Sequence, residues 1–180
     1  MSEQPNQQKG VDMPEPKDSS VKPARGPRVP QSVPQKTKTA ASPDMIEITK
    51  KAISPEAVIA KAKNDASGCV VTYVGLIRDR SHDKQVLSVE YHDSKGNAET
   101  MLQKIASEAR RKWPVENIAI SHRTDKLMVG EINLVVAVAS AHRQEGLAAC
   151  QYVIDRFKER LPTKKMESYQ DGSILVEEPH

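Results

Sequence analysis

The sequence has few cysteines, few aromatic residues and no long apolar run. Its 180 residues include 2 cysteines, and aromatic residues make up 3% of the chain. Cys69 and Cys150 both lie in apolar segments, which favours reduced thiols in the core of a cytoplasmic protein; a disulfide between them is the alternative. No run reaches the roughly 18 apolar residues of a transmembrane helix, and the N-terminus lacks the apolar stretch of a secretory signal. We therefore expect no membrane association.

The sequence also lacks the common metal-binding and phosphate-binding motifs. Its 5 histidines are scattered and no Cys-x-x-Cys pair occurs, so we expect no resident metal. Its 8 glycines form no Gly-rich phosphate loop. No spacing indicates a Ser-His-Asp triad, although spacing alone leaves that triad open.

Proline and net charge are concentrated at the start of the chain. Residues 1–43 hold eight of the 12 prolines, seven of the 27 Lys and Arg residues and four of the 24 Asp and Glu residues. The remaining chain carries 20 residues of each sign, so the net charge of +3 belongs to this N-terminal segment. Because the segment has no periodic apolar face, we expect it to be disordered. The neutral remainder, with few aromatic residues, argues against a nucleic-acid-binding domain.

Residues 44–180 show the apolar patterns of one folded domain. Period-two alternation and β-branched runs predict strands. Helical spacing predicts a helix that begins at Ser54, a second over residues 98–113, and a third that Ser140 caps and Pro162 ends. The order β-α-β-β-α-β-β-α-β predicts an α+β fold with helices packed on a mainly antiparallel sheet. The predicted strands are 45–49, 69–77, 86–91, 118–123, 131–139 and 174–176, with a loop at 78–85 and a turn at 127–130.

Basic residues stand at the ends of several predicted elements. Arg78 follows a buried strand, His142 and Arg143 open the last helix, Lys158 lies late on that helix, and Lys165 follows it. Rigid elements hold side chains at such ends over a pocket, and a helix N-terminus adds N–H donors for an anion. Three of these residues also have a purely structural interpretation: Arg78 as a solvated loop residue, His142 as a helix cap, and Lys158 as a partner of the helix dipole.

Four segments together resemble one known family. They are Val-Thr-Tyr-Val-Gly-Leu-Ile-Arg at 71–78, Val-Glu-Tyr at 89–91, Ala-Val-Ala-Ser-Ala-His-Arg at 137–143 and Ile-Asp-Arg-Phe-Lys-Glu-Arg-Leu-Pro at 154–162, followed by Lys165 and Glu167. In order and spacing they resemble the large, catalytic subunit of molybdopterin synthase over residues 45–177. The resemblance implies the α/β hammerhead type of fold found in that family.

A sulfur-transfer reaction is what the resemblance implies. The family converts cyclic pyranopterin monophosphate into molybdopterin by adding two sulfurs as a dithiolene. The sulfur comes from the C-terminal thiocarboxylate of a small ubiquitin-like subunit, whose Gly-Gly tail enters a pocket of the large subunit. No metal or redox cofactor of its own is implied, and the family assembles as a heterotetramer around a homodimer of large subunits.

The resemblance implies catalysis by Lys158 and, second, by Lys165. A lysine in that pocket would pair with the incoming carboxyl terminus or stabilise developing negative charge, and neighbouring cations would lower its pKa and help it act as a base. Arginine offers fork-shaped donors to phosphate, and histidine offers a hydrogen bond or a proton. The substrate-binding residues that the resemblance implies are Arg78, His142, Arg143, Lys158, Lys165, Met166 and Glu167.

The spacing of His142 and Lys158 adds a geometric constraint. These residues are sixteen positions apart, which is roughly 24 Å along one α-helix and too far to touch one small substrate from the same chain. If both residues serve one site, that site combines two protomers. The spacing therefore predicts a homodimer with composite sites.

The chain departs from the family pattern around the second lysine. Thr163-Lys164 stand where family members commonly have an aromatic pair, Met166 replaces a frequent basic residue, Leu175 stands where a tryptophan is common, and residues 92–96 replace a more aromatic turn. These departures keep a second hypothesis open, a non-catalytic scaffold that binds the ubiquitin-like partner. A third hypothesis, an RNA- or anion-binding module, would use the same cations.

Overall fold

The structure, a computed structural model, describes residues 44–160 and 162–179. The predicted disordered segment 1–43 lies outside the described residues. The helices are α1 (Pro55–Ala62), α2 (Ala98–Lys112) and α3 (Arg143–Arg160). The strands are β1 (Met45–Thr49), β2 (Cys69–Leu76), β3 (Arg80–Ser81), β4 (Lys84–His92), β5 (Val115–Arg123), β6 (Asp125–Met128), β7 (Ile132–Ser140), β8 (Lys164–Tyr169) and β9 (Ile174–Glu177).

A four-stranded sheet with the order β1-β5-β7-β2 carries the main core. Only β1 and β5 pair in parallel, and the other neighbours are antiparallel, which confirms the predicted α+β fold. Strand β7 is buried over residues 134–140, and its side chains alternate between the two faces. Its even-numbered residues from 134 to 138 pack with α2 and α3. Its odd-numbered residues from 135 to 139 pack with α1 on the opposite face.

A second sheet has the order β3-β4-β8-β9, with β6 also paired to β4. Its apolar side chains form a separate small core that includes Val89, Tyr91 and Leu127. The predicted turn at 127–130 is wrong in part, because residues 125–128 form β6, and β8 was not predicted at all. Strand β8 mixes lysine, methionine and glutamate, so it lacks the apolar alternation that identifies a strand in sequence.

The helix starts confirm one predicted cap and correct another. Ala57 N donates to Ser54 Oγ at 3.2 Å, so Ser54 caps α1 as predicted. The prediction that Ser140 caps the last helix is wrong, because Ser140 pairs with Cys69 as the last residue of β7. The Ser140 hydroxyl instead donates to the His142 carbonyl at 2.8 Å, and α3 begins at Arg143.

Helix α3 approaches the first sheet closely at its beginning. A Cβ atom at Gly146 would lie 2.5 Å from Ser140 Oγ and 3.1 Å from a methyl group of Val71. Glycine at this position therefore lets α3 pack against β7 and β2. Cys69 and Cys150 are both free, as predicted, and none of the helices over 44–160 and 162–179 is long and apolar enough to cross a membrane.

Candidate functional site

A cavity of about 490 Å³ opens between the last turn of α3 and the second sheet. Both predicted catalytic lysines, Lys158 and Lys165, line it. The structure therefore brings together the two residues on which the predicted chemistry depends. The full lining is Tyr91, Asn133, Phe157, Lys158, Lys165, Glu177 and Glu178.

Three of the lining residues form one row across the second sheet. Tyr91 of β4 lies opposite Lys165 of β8, and Lys165 lies opposite Glu177 of β9. Because directly opposed residues project from the same face of a sheet, a phenol, an ammonium and a carboxylate stand side by side at the cavity. The row requires the pairing of β4 with β8, which are far apart in sequence, and of β8 with the next strand, β9.

Two carboxylates hold the ammonium group of Lys165. Its Nζ lies 2.7 Å from Glu167 Oε1 and 3.1 Å from Glu177 Oε2. Burial would lower the pKa of Lys165, but the two glutamates outweigh burial and raise that pKa above its ordinary value. The prediction that neighbouring cations lower the pKa of a pocket lysine is therefore wrong for Lys165. At neutral pH this residue is a fixed cation and not a base.

Glu167 supports Lys165 from within the second sheet. Its side chain is 6% exposed, and Tyr169 Oη donates to Glu167 Oε2 at 2.6 Å. Burial would raise the pKa of Glu167, but hydrogen bonds from Lys165, Tyr169 and Ser81 hold that pKa at about 2. Glu167 is therefore ionised at neutral pH and fixes the position of the ammonium that faces the cavity.

Lys158 differs from Lys165 in its surroundings. It lies exposed in the last turn of α3, next to Phe157, which is buried and lines the same cavity. Among the ion pairs of residues 44–160 and 162–179, none involves Lys158. Its ammonium group is therefore available to an anion that enters the cavity.

A buried histidine stands behind the cavity wall. His122 is fully buried and packs edge-on between the rings of Tyr91 and Phe157, with ring centroids 5.0 and 5.1 Å away. Its Nδ1 lies 2.8 Å from the Asn133 carbonyl, and its Nε2 lies 3.1 Å from Thr163 Oγ1. Since a carbonyl only accepts, Nδ1 carries the proton, and Nε2 accepts from the Thr163 hydroxyl.

The charge state of His122 follows from its burial. Burial lowers the pKa of His122 to about 4, although the hydrogen bond with Asn133 and the charge of Asp93 act in the opposite direction. The imidazole is therefore neutral at neutral pH. It joins the cavity-lining aromatic rings to Thr163, two residues before Lys165.

Arg78 is connected to the site through two other side chains. Its Nη2 donates to Ser81 Oγ at 3.4 Å, and Ser81 is one of the groups that lower the pKa of Glu167, the partner of Lys165. Arg78 itself is exposed and is not among the cavity-lining residues. Its guanidinium group therefore lies beside the cavity and faces solvent.

Three other predicted residues lie away from the cavity within one chain. Met166 alternates with Lys165 and Glu167 along β8, so its side chain leaves the opposite face of the sheet. His142 and Arg143 stand at the start of α3, whereas Lys158 belongs to its last turn. The structure of one protomer therefore does not bring the whole predicted substrate-binding set to the cavity.

Sequence reasoning did not identify five of the cavity-lining residues. Phe157 precedes Lys158 directly, so an inward-facing position next to a pocket lysine was a signal that was available. Tyr91, Asn133 and the two glutamates at 177 and 178 gave no such signal, because strand register brings them together. Among the described residues, no group of three or more His, Cys, Asp or Glu side chains is arranged to hold a metal ion.

The fold and the cavity define a class of protein. A two-sheet α+β domain that presents two ammonium groups to one cavity is suited to an enzyme domain that binds an anionic ligand. The sequence model described as MoaE protein matches residues 48–160 of the chain. The chain belongs to the MoaE family.

Individual relatives agree with this assignment. The chain is 39% identical to the molybdopterin synthase catalytic subunit of Nostoc sp. over 72% of its own length and 79% of that protein. It is 35% identical to the same subunit of Bacillus subtilis, with coverage of 74% and 85%. The human molybdopterin synthase catalytic subunit is 36% identical, with coverage of 73% and 70%.

Solved structures share the fold. The crystal structure of molybdopterin synthase from Staphylococcus aureus matches with a TM-score of 0.67 at 30% identity, over 73% of this chain and 95% of that one. The molybdopterin biosynthesis MoaE protein of Burkholderia ambifaria matches with a TM-score of 0.64 at 31% identity, over 74% and 88%. These similarities agree with the hammerhead type of fold predicted for the chain.

Proposed function

We propose that this chain is the catalytic subunit of a molybdopterin synthase. It transfers sulfur to cyclic pyranopterin monophosphate from the C-terminal thiocarboxylate of a small ubiquitin-like partner. The observation that carries this proposal is that Lys158 and Lys165 line one cavity in a chain of the MoaE family. Two ammonium groups at one cavity suit an anionic carrier terminus and a phosphate-bearing substrate.

The two lysines have different surroundings and therefore different roles. Lys165 is held by Glu167 and Glu177, so it supplies a positive charge at a fixed position, which is how preorganised sites stabilise developing negative charge. Lys158 has no such partner among the residues that the structure describes, so it pairs with the thiocarboxylate when the carrier tail enters. Tyr91 lies opposite Lys165 in the strand register and lines the same cavity as Lys158.

The reaction exchanges sulfur for oxygen. The thiocarboxylate becomes an ordinary carboxylate, and a carbon–oxygen bond of the substrate is replaced by a carbon–sulfur bond. Because this exchange needs no oxidant or reductant, the proposed enzyme needs no redox cofactor, and the proposal includes no metal of its own. The proposal includes a cytoplasmic location, in keeping with the two free cysteines.

Lys158→Ala tests the proposal in a single-turnover assay. The protein is mixed with cyclic pyranopterin monophosphate and the thiocarboxylated small subunit, and molybdopterin is measured over time. We expect the parent chain to form product and Lys158→Ala to form it at least about 100-fold more slowly, because the ammonium group that pairs with the carrier terminus is lost. Lys104→Ala is the matched control, since Lys104 is an exposed lysine of α2 outside the cavity.

Other results of this assay would contradict the proposal. If the parent chain binds the small subunit but forms no product, the chain is the scaffold that the departures at Thr163 and Lys164 kept open. If Lys158→Ala and Lys104→Ala both match the parent rate, the cavity does not carry the chemistry.

We further propose that the active site combines two protomers. His142 lies just before α3 and Arg143 is its first residue, whereas Lys158 belongs to its last turn. One chain therefore cannot bring both ends of α3 to one small substrate. In a homodimer, the start of α3 from one protomer would complete the cavity that holds Lys158 and Lys165 of the other. This arrangement makes the phosphate-binding residues and the lysines parts of one site.

Mixed dimers distinguish a composite site from a site within one chain. His142→Ala and Lys158→Ala are each expected to lose activity alone. When they are refolded together, a composite dimer contains one intact site, so activity should return to about a quarter of the parent value for random pairing. The matched control mixes His142→Ala with Arg143→Ala, which lie at the same end of α3 and should not complement. A monomeric active species, or no recovery in the first mixture, would contradict the composite site.

A further inference from the structure

Tyr91 is the least expected residue of the cavity. It is 5% exposed, it lines the cavity, and its ring packs edge-on against His122. Its partner in the strand register is Lys165. A tyrosine so buried usually has a hydrogen-bond partner for its hydroxyl group, and the direction of that hydrogen bond determines what else the hydroxyl can do.

Asn133 supplies that partner as a donor. Its Nδ2 donates to Tyr91 Oη at 3.0 Å. A phenolic oxygen that accepts in this way still has its own proton to donate. Among the hydrogen bonds of the described residues, Tyr91 Oη takes part in no other, so its O–H group is free to donate to a ligand in the cavity that Tyr91 lines.

The phenol keeps its proton at neutral pH. Burial raises the pKa of Tyr91 above its ordinary value, and this effect outweighs the opposing influence of Lys165 and Asn133. The cavity therefore combines two kinds of donor. The lysines provide charge, and the tyrosine provides a neutral donor whose direction Asn133 fixes.

We propose that Tyr91 donates a hydrogen bond to the carbonyl oxygen of the carrier terminus while that oxygen carries negative charge. This inference rests on the proposed function. After the carrier sulfur has bonded to the substrate, water adds to the carrier carbonyl carbon, and the carbonyl oxygen becomes an oxyanion. The oxyanion then collapses and the carbon–sulfur bond to the carrier breaks. Its electron pair leaves on the sulfur, which stays on the substrate, while the carrier departs as a carboxylate and the protons of water pass to solvent.

The roles of the neighbouring residues follow from this step. Lys165 would stabilise the oxyanion by charge, and Tyr91 would stabilise it by a directed hydrogen bond, as in other preorganised sites. Asn133 acts through Tyr91 and is therefore a positioning residue. The backbone carbonyl of Asn133 accepts a hydrogen bond from His122 Nδ1. The pair of Asn133 and Tyr91 is therefore anchored to the buried part of the fold.

Tyr91→Phe removes the donor and keeps the ring that packs on His122. In single-turnover assays over a range of substrate and carrier concentrations, we expect the limiting rate constant to fall about 100-fold, with little change in the concentrations that give half the limiting rate, because the hydrogen bond forms with a transient charge. Tyr152→Phe is the matched control. The Tyr152 hydroxyl donates to Glu108 at 2.8 Å, outside the cavity, so the parent rate should persist.

Asn133→Asp tests the direction of the hydrogen bond with the Tyr91 hydroxyl still present. A carboxylate accepts hydrogen bonds and does not donate them. It would therefore accept a hydrogen bond from the Tyr91 hydroxyl and turn the O–H group away from the cavity. We expect the rate constant to fall as far as in Tyr91→Phe. We also expect no further fall when Asn133→Asp is added to Tyr91→Phe, because the donor is already absent.

The outcomes separate this inference from the proposed function. If the parent chain forms no molybdopterin, the proposed function itself fails. If the parent forms product and Tyr91→Phe forms it at the parent rate, Tyr91 is not the donor. If Tyr91→Phe does not fold, Asn133→Asp decides alone, and an unchanged rate constant in that variant overturns the inference.

Discussion

Lys165→Ala is expected to lose both product formation and folding stability. Product formation should fall at least about 100-fold, because the fixed positive charge at the cavity is removed. The free energy of unfolding should fall by about 3 kcal/mol, because the nearly buried carboxylate of Glu167 loses its cation. Glu177 contributes little to this loss, since its side chain is 44% exposed. Urea unfolding and single-turnover assays measure the two effects separately.

A second substitution separates the chemical role of Lys165 from its structural role. In the double variant Lys165→Ala with Glu167→Gln, no buried charge is left alone, so most of the lost stability should return while product formation does not. The adjacent Lys164→Ala is the stability control, because Lys164 pairs with Glu178, whose side chain is 65% exposed. Full activity in the stabilised double variant would show that Lys165 is needed only to neutralise Glu167.

The free energy of unfolding is expected to fall by about 2 kcal/mol between pH 7 and pH 5, because of His122. The unfolded chain binds a proton on this histidine near its ordinary pKa of 6.5, whereas burial lowers the pKa in the folded state to about 4. Between these two values the unfolded state binds more protons, so stability falls as the pH falls. The loss is complete once the pH lies below about 4, where both states are protonated.

Glu167 contributes little to the change in stability between pH 7 and pH 5. The pKa of Glu167 is held at about 2 against an ordinary value of 4.5, so its contribution to stability is lost only at lower pH. Urea titrations at pH 7, 6 and 5 therefore report mainly on His122. His142→Ala should keep the full pH dependence, since His142 is exposed, and His122→Gln should remove most of it. A parent chain with equal stability at pH 7 and pH 5 would contradict the buried, neutral histidine.

The elements that the sequence predicts well are those with purely local causes. Ser54 and Pro55 determine the start of α1 without help from the rest of the fold. The β-branched run of β7 identifies a buried strand, because both of its faces are apolar. Strands β6 and β8 were not predicted, because their side chains belong to the candidate site and to the small core of the second sheet and show no strand pattern in the sequence. Their strand character comes from pairing with β4.

The residues of the candidate site were likewise predicted only in part. The lysines were identified from a family resemblance, and the cavity brings both together, but their roles remain predictions. The row of Tyr91, Lys165 and Glu177 depends on strand register, which no local pattern in the sequence specifies. For the same reason, the direction of the pKa shift of Lys165 was predicted wrongly. The carboxylate of Glu177 reaches this lysine only through the pairing of β8 with β9.

Thr163 gives a physical reason for one departure from the family pattern. At the position where the resemblance led us to expect part of an aromatic pair, this chain has a hydroxyl that is fully buried and hydrogen-bonded with His122. The buried imidazole needs a donor for Nε2, and threonine supplies it. The change therefore exchanges apolar packing for a polar contact at the approach to Lys165.

The two sides of the cavity have unequal rigidity as a consequence of how β7 is buried. Asn133 lies on β7, the strand whose residues pack on both faces of the first sheet. The backbone amides near Asn133 should therefore exchange hydrogen with solvent only when the whole domain unfolds. Glu177 lies on β9, which pairs with β8 alone within the described part of the chain, so its amides belong to a region that opens at lower cost. A carrier tail that enters the cavity therefore meets a rigid side at β7 and a more mobile side at β9. Tyr91, the proposed donor to its carbonyl oxygen, is hydrogen-bonded to Asn133 on the rigid side, whereas Lys165 lies on β8 next to the more mobile side.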